Sequence, residues 1–142
     1  MKSIDFYKYF SANPDGASLT ATHSGSETVT AKAFKDGRIV VYFANLGSTE
    51  YITINTPFAF EVIDAYLRVE NGENVGSKTL TVYNGSSAVS SALSMATDKG
   101  IARATTIDST YAEFAADDND LKLVSSAHAD GDATVTLVIQ PS

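Results

Sequence analysis

An all-β fold with minor helix, an antiparallel β-sandwich or jelly-roll-like domain carrying an extended N-terminal arm, is what three observations in the sequence predict. Segments with period-two alternation of apolar and polar residues recur along the chain. Turn residues such as Lys35-Asp-Gly37, Gly47-Ser48 and Asn84-Gly85 separate them at short intervals. Helical spacing is confined to one small stretch. Short strands with frequent turns and little helix make a sandwich or barrel.

The N-terminus divides in two. Residues 1–10 concentrate aromatic side chains, Phe6, Tyr7, Tyr9 and Phe10, and residues 11–26 are turn-forming and weakly hydrophobic. An aromatic tip on a stem that buries little surface reads as a docking arm, so residues 1–26 are expected as an arm or loosely packed segment and 27–142 as one sandwich domain. The alternative is that residues 4–10 fold onto their own domain as a short strand or helical turn.

Glu27 to Phe34 alternates, with Val29, Ala31 and Ala33 on one side and Thr28, Thr30, Lys32 and Phe34 on the other, a strand with one wet face. Arg38 to Leu46 is β-branched and aromatic throughout and is expected to be buried on both faces. Thr49 to Asn55 is a third strand, with Ile52 and Ile54 together, and Thr56-Pro57 breaks it because proline gives no amide hydrogen to a ladder. Phe58 to Glu70 and Lys78 to Tyr83 are the strongest strand signals, and the chain is expected to be organised around them. Asp64 sits inside the first. An acid in an apolar strand must be hydrogen-bonded or near an edge, and the expectation is a structural anchor for a loop. Ser86 to Met95 changes period, Val89 with Leu93 and Ala92 with Ala96, which predicts a short helix or helical turn; Gly100 suits a left-handed position after it. Ile101 to Ile107 is a strand with Ile101, Arg103, Thr105 and Ile107 on one side. Asp108 to Ala115 is a capped turn packing Tyr111 and Phe114. Leu121 to Ser125 and Ala133 to Ile139 are the closing strands.

At 142 residues the chain suffices for one domain with a real core. Its net charge of −7 repels phosphate backbones and anionic membranes, which argues against nucleic acid and membranes as partners and makes a basic surface the natural complement. There is no cysteine, so disulfides and thiolate metal sites are excluded. No apolar run approaches the roughly 20 residues of a membrane helix. The first ten residues have no uninterrupted apolar core and do not read as a secretory signal; a soluble protein is expected.

The chemistry-bearing residues do not assemble into a motif. Ser125, Ser126, His128 and Asp130 supply the residue types of a hydrolase triad but crowd one short loop, whereas a triad draws its members from separate elements, and no Gly-x-Ser-x-Gly elbow occurs. Asp117-Asp-Asn-Asp120 and Asp130-Gly-Asp132 offer oxygen ligands, but the spacing misses the EF-hand, and acid-rich loops of this kind are ordinarily hydrated. His23 and His128 cannot make a zinc site without distant carboxylates. No catalytic residue, metal or cofactor is assigned, and no enzyme activity is expected. A carbohydrate-binding sandwich is an alternative, using exposed tyrosines among Tyr42, Tyr51, Tyr66 and Tyr83.

From Phe58 to Ile139 the chain resembles the small decoration, or cement, proteins of tailed-phage capsids. The resembling features are Val62-Ile-Asp64, Thr79-Leu-Thr-Val-Tyr-Asn-Gly85, Ser87-Ala-Val-Ser-Ser-Ala-Leu93, Arg103-Ala-Thr-Thr-Ile-Asp108, Asp120-Leu-Lys-Leu-Val124 and Ala133-Thr-Val-Thr-Leu-Val-Ile139. The resemblance implies a non-enzymatic virion protein on the outer capsid surface, found in the host cytoplasm before assembly. It would bridge neighbouring major capsid subunits and stabilise the head as a homo-oligomer, a trimer in preference to a dimer. A tail or fibre structural protein is the alternative within that resemblance. If the arm docks, Phe6, Tyr7, Tyr9 and Phe10 face the shell as aromatic anchors, or the arm adds a strand to a capsid sheet edge. Deleting residues 1–10 is then expected to leave the fold intact and weaken capsid binding.

Overall fold

The computed structural model describes residues 6–25, 28–44, 46, 50–72, 78–95, 99–126 and 131–142. They form an all-β antiparallel sandwich with one short helix. Helix α1 spans Phe6–Ala12. The strands are β1 (Ala17–His23), β2 (Val29–Phe34), β3 (Arg38–Ala44), β4 (Tyr51–Asn55), β5 (Phe60–Gly72), β6 (Thr79–Asn84), β7 (Ser87–Ala88), β8 (Leu93–Ser94), β9 (Ile101–Arg103), β10 (Glu113–Phe114), β11 (Leu121–Ser125) and β12 (Gly131–Pro141).

Sheet order along the hydrogen bonds is β10-β5-β12-β3-β2-β1-β4-β11-β6-β7. β1 is the corner. Ala17, Ser18 and Leu19 pair with β2, while Thr20 to His23 pair with β4, so the strand leaves one layer and enters the other within seven residues. The first layer is built on β5, β12, β3 and β2, the second on β4, β11 and β6. Inward rows such as Leu67-Val135-Val41-Ala31 and Ile52-Leu123-Val82 face each other across the core, and all seven of these side chains are buried.

The far edges also meet. β7 and β8 line the free side of β6, and β9 and β10 line that of β5. An antiparallel bridge between Ser90 and Ile107 joins the two, flanked by Asp108 N donating to the Val89 carbonyl (2.7 Å) and Ser91 N donating to that of Thr106 (3.1 Å). The hydrogen-bonded path therefore closes round the sandwich and covers edges that would otherwise template pairing with another chain. Here the expected helix over Ser86–Met95 is replaced by β7 and β8. Val89 and Leu93 are buried as helical spacing requires, but the edge of β6 offers backbone partners that a helix could not use. The left-handed residue after it is Lys99 (φ 59°), one position before the expected Gly100.

Two bulges set the faces of β5. Val138 pairs with Asp64 and Ile139 with Val62, leaving Ile63 unpaired; a second shift falls between Asp132 and Ala133. The first inverts the parity of the strand: Phe60 and Val62 point inward before it, and Ala65, Leu67 and Val69 after it. Ile63 is left 47% exposed. β3 departs from expectation too. Ile39, Val41 and Phe43 are buried, but Val40 is only half-buried and Tyr42 is exposed, so β3 has one dry face, not two.

The N-terminal segment is not an extended arm. From Phe6 to Ala12 it is a helix packed on the sandwich, and Ala17–His23 is the corner strand. The expected boundary at residue 26 therefore falls after two integral elements. Seven residues are too few for an isolated helix, so packing holds this one: Phe6 and Phe10, four apart, bury one face. Asn13 closes it, its Nδ2 donating to the Tyr9 carbonyl (3.0 Å), and Pro14 prevents continuation.

Candidate functional site

The four aromatics of the N-terminus divide by face. Phe6 and Phe10 are each 4% exposed and meet the ring of Phe58 at centroid distances of 5.0 and 5.9 Å. Tyr9 is half-buried against Phe58, and that burial raises its phenol pKa above the ordinary value. The cluster continues from Phe58 to Phe60, which stacks on Phe114 at 5.0 Å. These rings plug one pole of the sandwich, where β2 and β4 end and β3, β5 and β11 begin. As a docking set the four residues are thus corrected: Phe6 and Phe10 face the protein's own core, and only Tyr7, 67% exposed, points clear of it. Deletion of residues 1–10 would remove part of the core, contrary to the expectation of an intact fold.

The same pole gathers carboxylates: Asp15, Asp36, Glu113, Asp117, Asp118 and Asp120 lie on its turns and strand ends, with Lys8, Lys35 and Arg38 among them. Several do local structural work. Asp118 Oδ1 accepts from the Asp120 amide (3.2 Å), and Asp36 binds Arg38 at 2.8 Å. Among the described residues no three or more His, Asp or Glu side chains converge as a metal group would need.

Asp64 is the anchor that its place in an apolar strand demanded. Its Oδ1 accepts from the Ala65 amide (2.9 Å), and its Oδ2 pairs with the Arg103 guanidinium on β9. The hydrogen bond from Arg103 holds the Asp64 carboxyl below the usual range and outweighs the opposing effect of burial; the Arg103 pKa rises in return. The pair ties the edge segment 101–107 to β5.

His23 ends the corner strand with its side chain buried. Its Nδ1 accepts from the Gly25 amide (2.8 Å), and its Nε2 lies 3.4 Å from Glu50 Oε2, a contact that falls short of hydrogen-bond geometry. A Cβ on Gly25 would stand 2.7 Å from Glu50 Oε1, so glycine permits this close approach. Of the triad residue types, Ser125 is buried, and Ser126 Oγ accepts from the Thr79 amide (3.0 Å); His128 and Asp130 lie outside the described residues.

Among the described residues, three shallow depressions are candidate sites. One of about 400 Å³ lies over the Ser90–Ile107 bridge, where Ser90 Oγ accepts from the Val82 amide and Ser91 Oγ from that of Thr105; its described lining has no aromatic ring. One of about 370 Å³ lies beside Ile101. The third, about 360 Å³, lies on the outer face of the second layer around Tyr51 and Lys122. Spacing could have pointed to it, because Thr22, Thr53, Lys122 and Tyr83 fall on outward positions of their strands. The turn-forming, weakly hydrophobic composition of the segment that brings Thr22 there hides the row.

A scan against protein-family models finds no matching family, and a search of curated proteins finds no match.

Proposed function

We propose that this chain is a non-enzymatic structural protein of a tailed-phage head, bound to the outer capsid surface as a homo-oligomer, a trimer in preference to a dimer, and bridging neighbouring major capsid subunits. The observation that carries the reading is how the segments resembling cement proteins meet. Asp64, in Val62-Ile-Asp64, is ion-paired with Arg103, which opens Arg103-Ala-Thr-Thr-Ile-Asp108. Leu121 to Val124 pairs with the Thr81–Asn84 part of the strand-to-turn segment, and Ala133 to Ile139 pairs with β5. The resembling residues form one belt of the sandwich, as a scaffold would.

The closed edges support the same reading. A partner would meet faces and poles, since strand addition needs an open edge. The acidic pole complements a basic surface, and Tyr7 stands on it as the outward aromatic. Many copies, each binding weakly, stabilise an assembled shell by mass action.

The test is to add the purified protein to heads that lack it and to image the particles. Density at junctions between capsid subunits, with greater resistance of the heads to heat, is expected. Tyr7→Ala is expected to lower occupancy without unfolding the chain. Density confined to the tail would replace this reading with that of a tail or fibre protein, and unbound heads would end it.

A further inference from the structure

We infer that the outer face of the second layer carries a saccharide-binding site centred on Tyr51 and Lys122, a reading that does not depend on the capsid proposal. The depression there, about 360 Å³, is lined by Thr22, Ser24, Tyr51, Thr53, Asn119 and Lys122. That volume is at the lower end of ligand sites and suits one or two sugar rings. Three of the six are fixed by the ladder: Thr22 pairs with Thr53 and Thr53 with Lys122, a single row across β1, β4 and β11.

What separates this depression from the one over the Ser90–Ile107 bridge is an exposed aromatic ring, which the described lining of that one lacks. The Thr22 and Thr53 hydroxyls have no hydrogen-bond partner among the described residues. Ser24 Oγ accepts from the Tyr51 amide (2.9 Å), which leaves its proton to donate outward. Asn119 Oδ1 accepts from Asn55 Nδ2 (3.2 Å), which leaves its NH2 group to donate. Three hydroxyls and an amide thus surround an aromatic ring that is 40% exposed. A pyranose asks for that combination: an apolar C–H face to lie on a ring and hydroxyls to exchange hydrogen bonds at its rim.

Charge narrows the class. The chain carries −7, yet among the described residues no carboxylate lines this depression, and the one ionic group there is the Lys122 ammonium, which lies over the Tyr51 ring 5.2 Å from its centroid. The site therefore favours a saccharide bearing a carboxylate, which draws the Lys122 ammonium from over the Tyr51 ring and leaves that face to the sugar. An open, shallow site binds weakly, with a dissociation constant on the order of 1 mM.

Titration of the 15N-labelled protein with sialyllactose and with lactose, followed by amide chemical shifts, tests this. Saturable shifts are expected at the lining residues, with sialyllactose tighter by roughly tenfold, about 1.4 kcal/mol. Tyr51→Ala abolishes the shifts, Tyr51→Phe retains them, and Lys122→Gln removes the preference for the acidic sugar while lactose still binds. No saturable shift with either sugar overturns the site, as does binding that Tyr51→Ala leaves unchanged. If Tyr51→Ala fails to fold, Lys122→Gln carries the test alone: an undiminished preference for sialyllactose overturns the assignment.

Discussion

The helix-capped pole and the outer face of the second layer use aromatic residues in opposite ways. At the pole, Phe6, Phe10, Phe58, Phe60 and Phe114 are stacked inward and buried. On the face, Tyr51 lies 40% exposed among hydroxyls. The division holds across the molecule: of the seven phenylalanines only Phe34 is not buried, and none of the seven tyrosines is. A phenol hydroxyl taken into an apolar core needs a partner there, and a strand face in water supplies one without cost. Aromatic density at a terminus therefore indicates docking only when the outward rings are counted, and here that leaves Tyr7.

The contrast is broken most directly at Phe58, which touches Phe6, Tyr9, Phe10 and Phe60. Phe58→Ala opens a cavity at the centre of the plug and is expected to cost about 3–5 kcal/mol in urea unfolding. Phe10→Ala is expected in the same range, near 3 kcal/mol, because the helix can partly settle into the space. Losses below about 1 kcal/mol would mean that the pole is not core and would restore the arm.

Backbone packing at that pole gives the next effect. Gly37 holds φ at +94° in the turn between β2 and β3, and a Cβ there would stand 2.7 Å from the Ile139 carbonyl oxygen. That carbonyl belongs to backbone and cannot swing aside. Gly37→Ala is expected to lower stability by roughly 1–3 kcal/mol by thermal or denaturant unfolding.

How much of this was legible follows from where the signals lie. Ala31 with Ala33, Ile52 with Ile54, and Val135 with Leu137 and Ile139 alternate as their strands require, and each set is buried as its period predicts. Asp64 announced itself as an anchor by being an acid among Val62, Ile63 and Ala65; its partner Arg103 was not legible, because the bond spans 39 positions. β1 was hidden because Ala17, Leu19 and Ala21 are small or isolated and lie between the turn residues Asn13 to Gly16 and Ser24-Gly25. The alternation was present with little apolar weight behind it. β7 and β8 were hidden because Val89 and Leu93 satisfy helical spacing, while the deciding factor is an unpaired edge on β6 that no local window reveals. The site on the second layer failed to appear for the same reason as β1: without that strand in the sheet, Thr22 has no neighbour at Thr53.

Between the buried plug and the open face stands the Asp64–Arg103 pair, half in each regime. The Asp64 side chain is 19% exposed and that of Arg103 is 73% exposed. The folded-state pKa of Asp64 is depressed, so the pair's contribution is fully present above the unfolded-state value, about 3.9. It is lost as the pH falls below that and through the lower folded value. Arg103→Ala is expected to move the Asp64 midpoint upward toward the ordinary range in a carboxyl NMR titration, and to loosen amide protection over residues 101–107. An unmoved midpoint would show that the Ala65 amide alone holds the carboxylate.

The smallest expected effect sharpens the comparison best, because it asks for almost none. If the exposed tyrosines are unburdened by folding, Tyr7→Ala and Tyr51→Ala should each change unfolding stability by no more than about 0.5 kcal/mol. Set beside Phe10→Ala, Tyr7→Ala is decisive, since the two residues share one seven-residue helix and differ in the face they occupy. A large loss for phenylalanine and almost none for tyrosine would place the dividing line along the helix axis. Equal losses would mean that Tyr7 is part of the plug and that the N-terminus offers no outward aromatic at all. For Tyr51, whose ring is contacted by the Lys122 ammonium, the cation–π contact at an exposed site adds at most about 0.5–1 kcal/mol. A stability loss well beyond that would make Tyr51 a packing residue of the face and would count against its role as the floor of a ligand site.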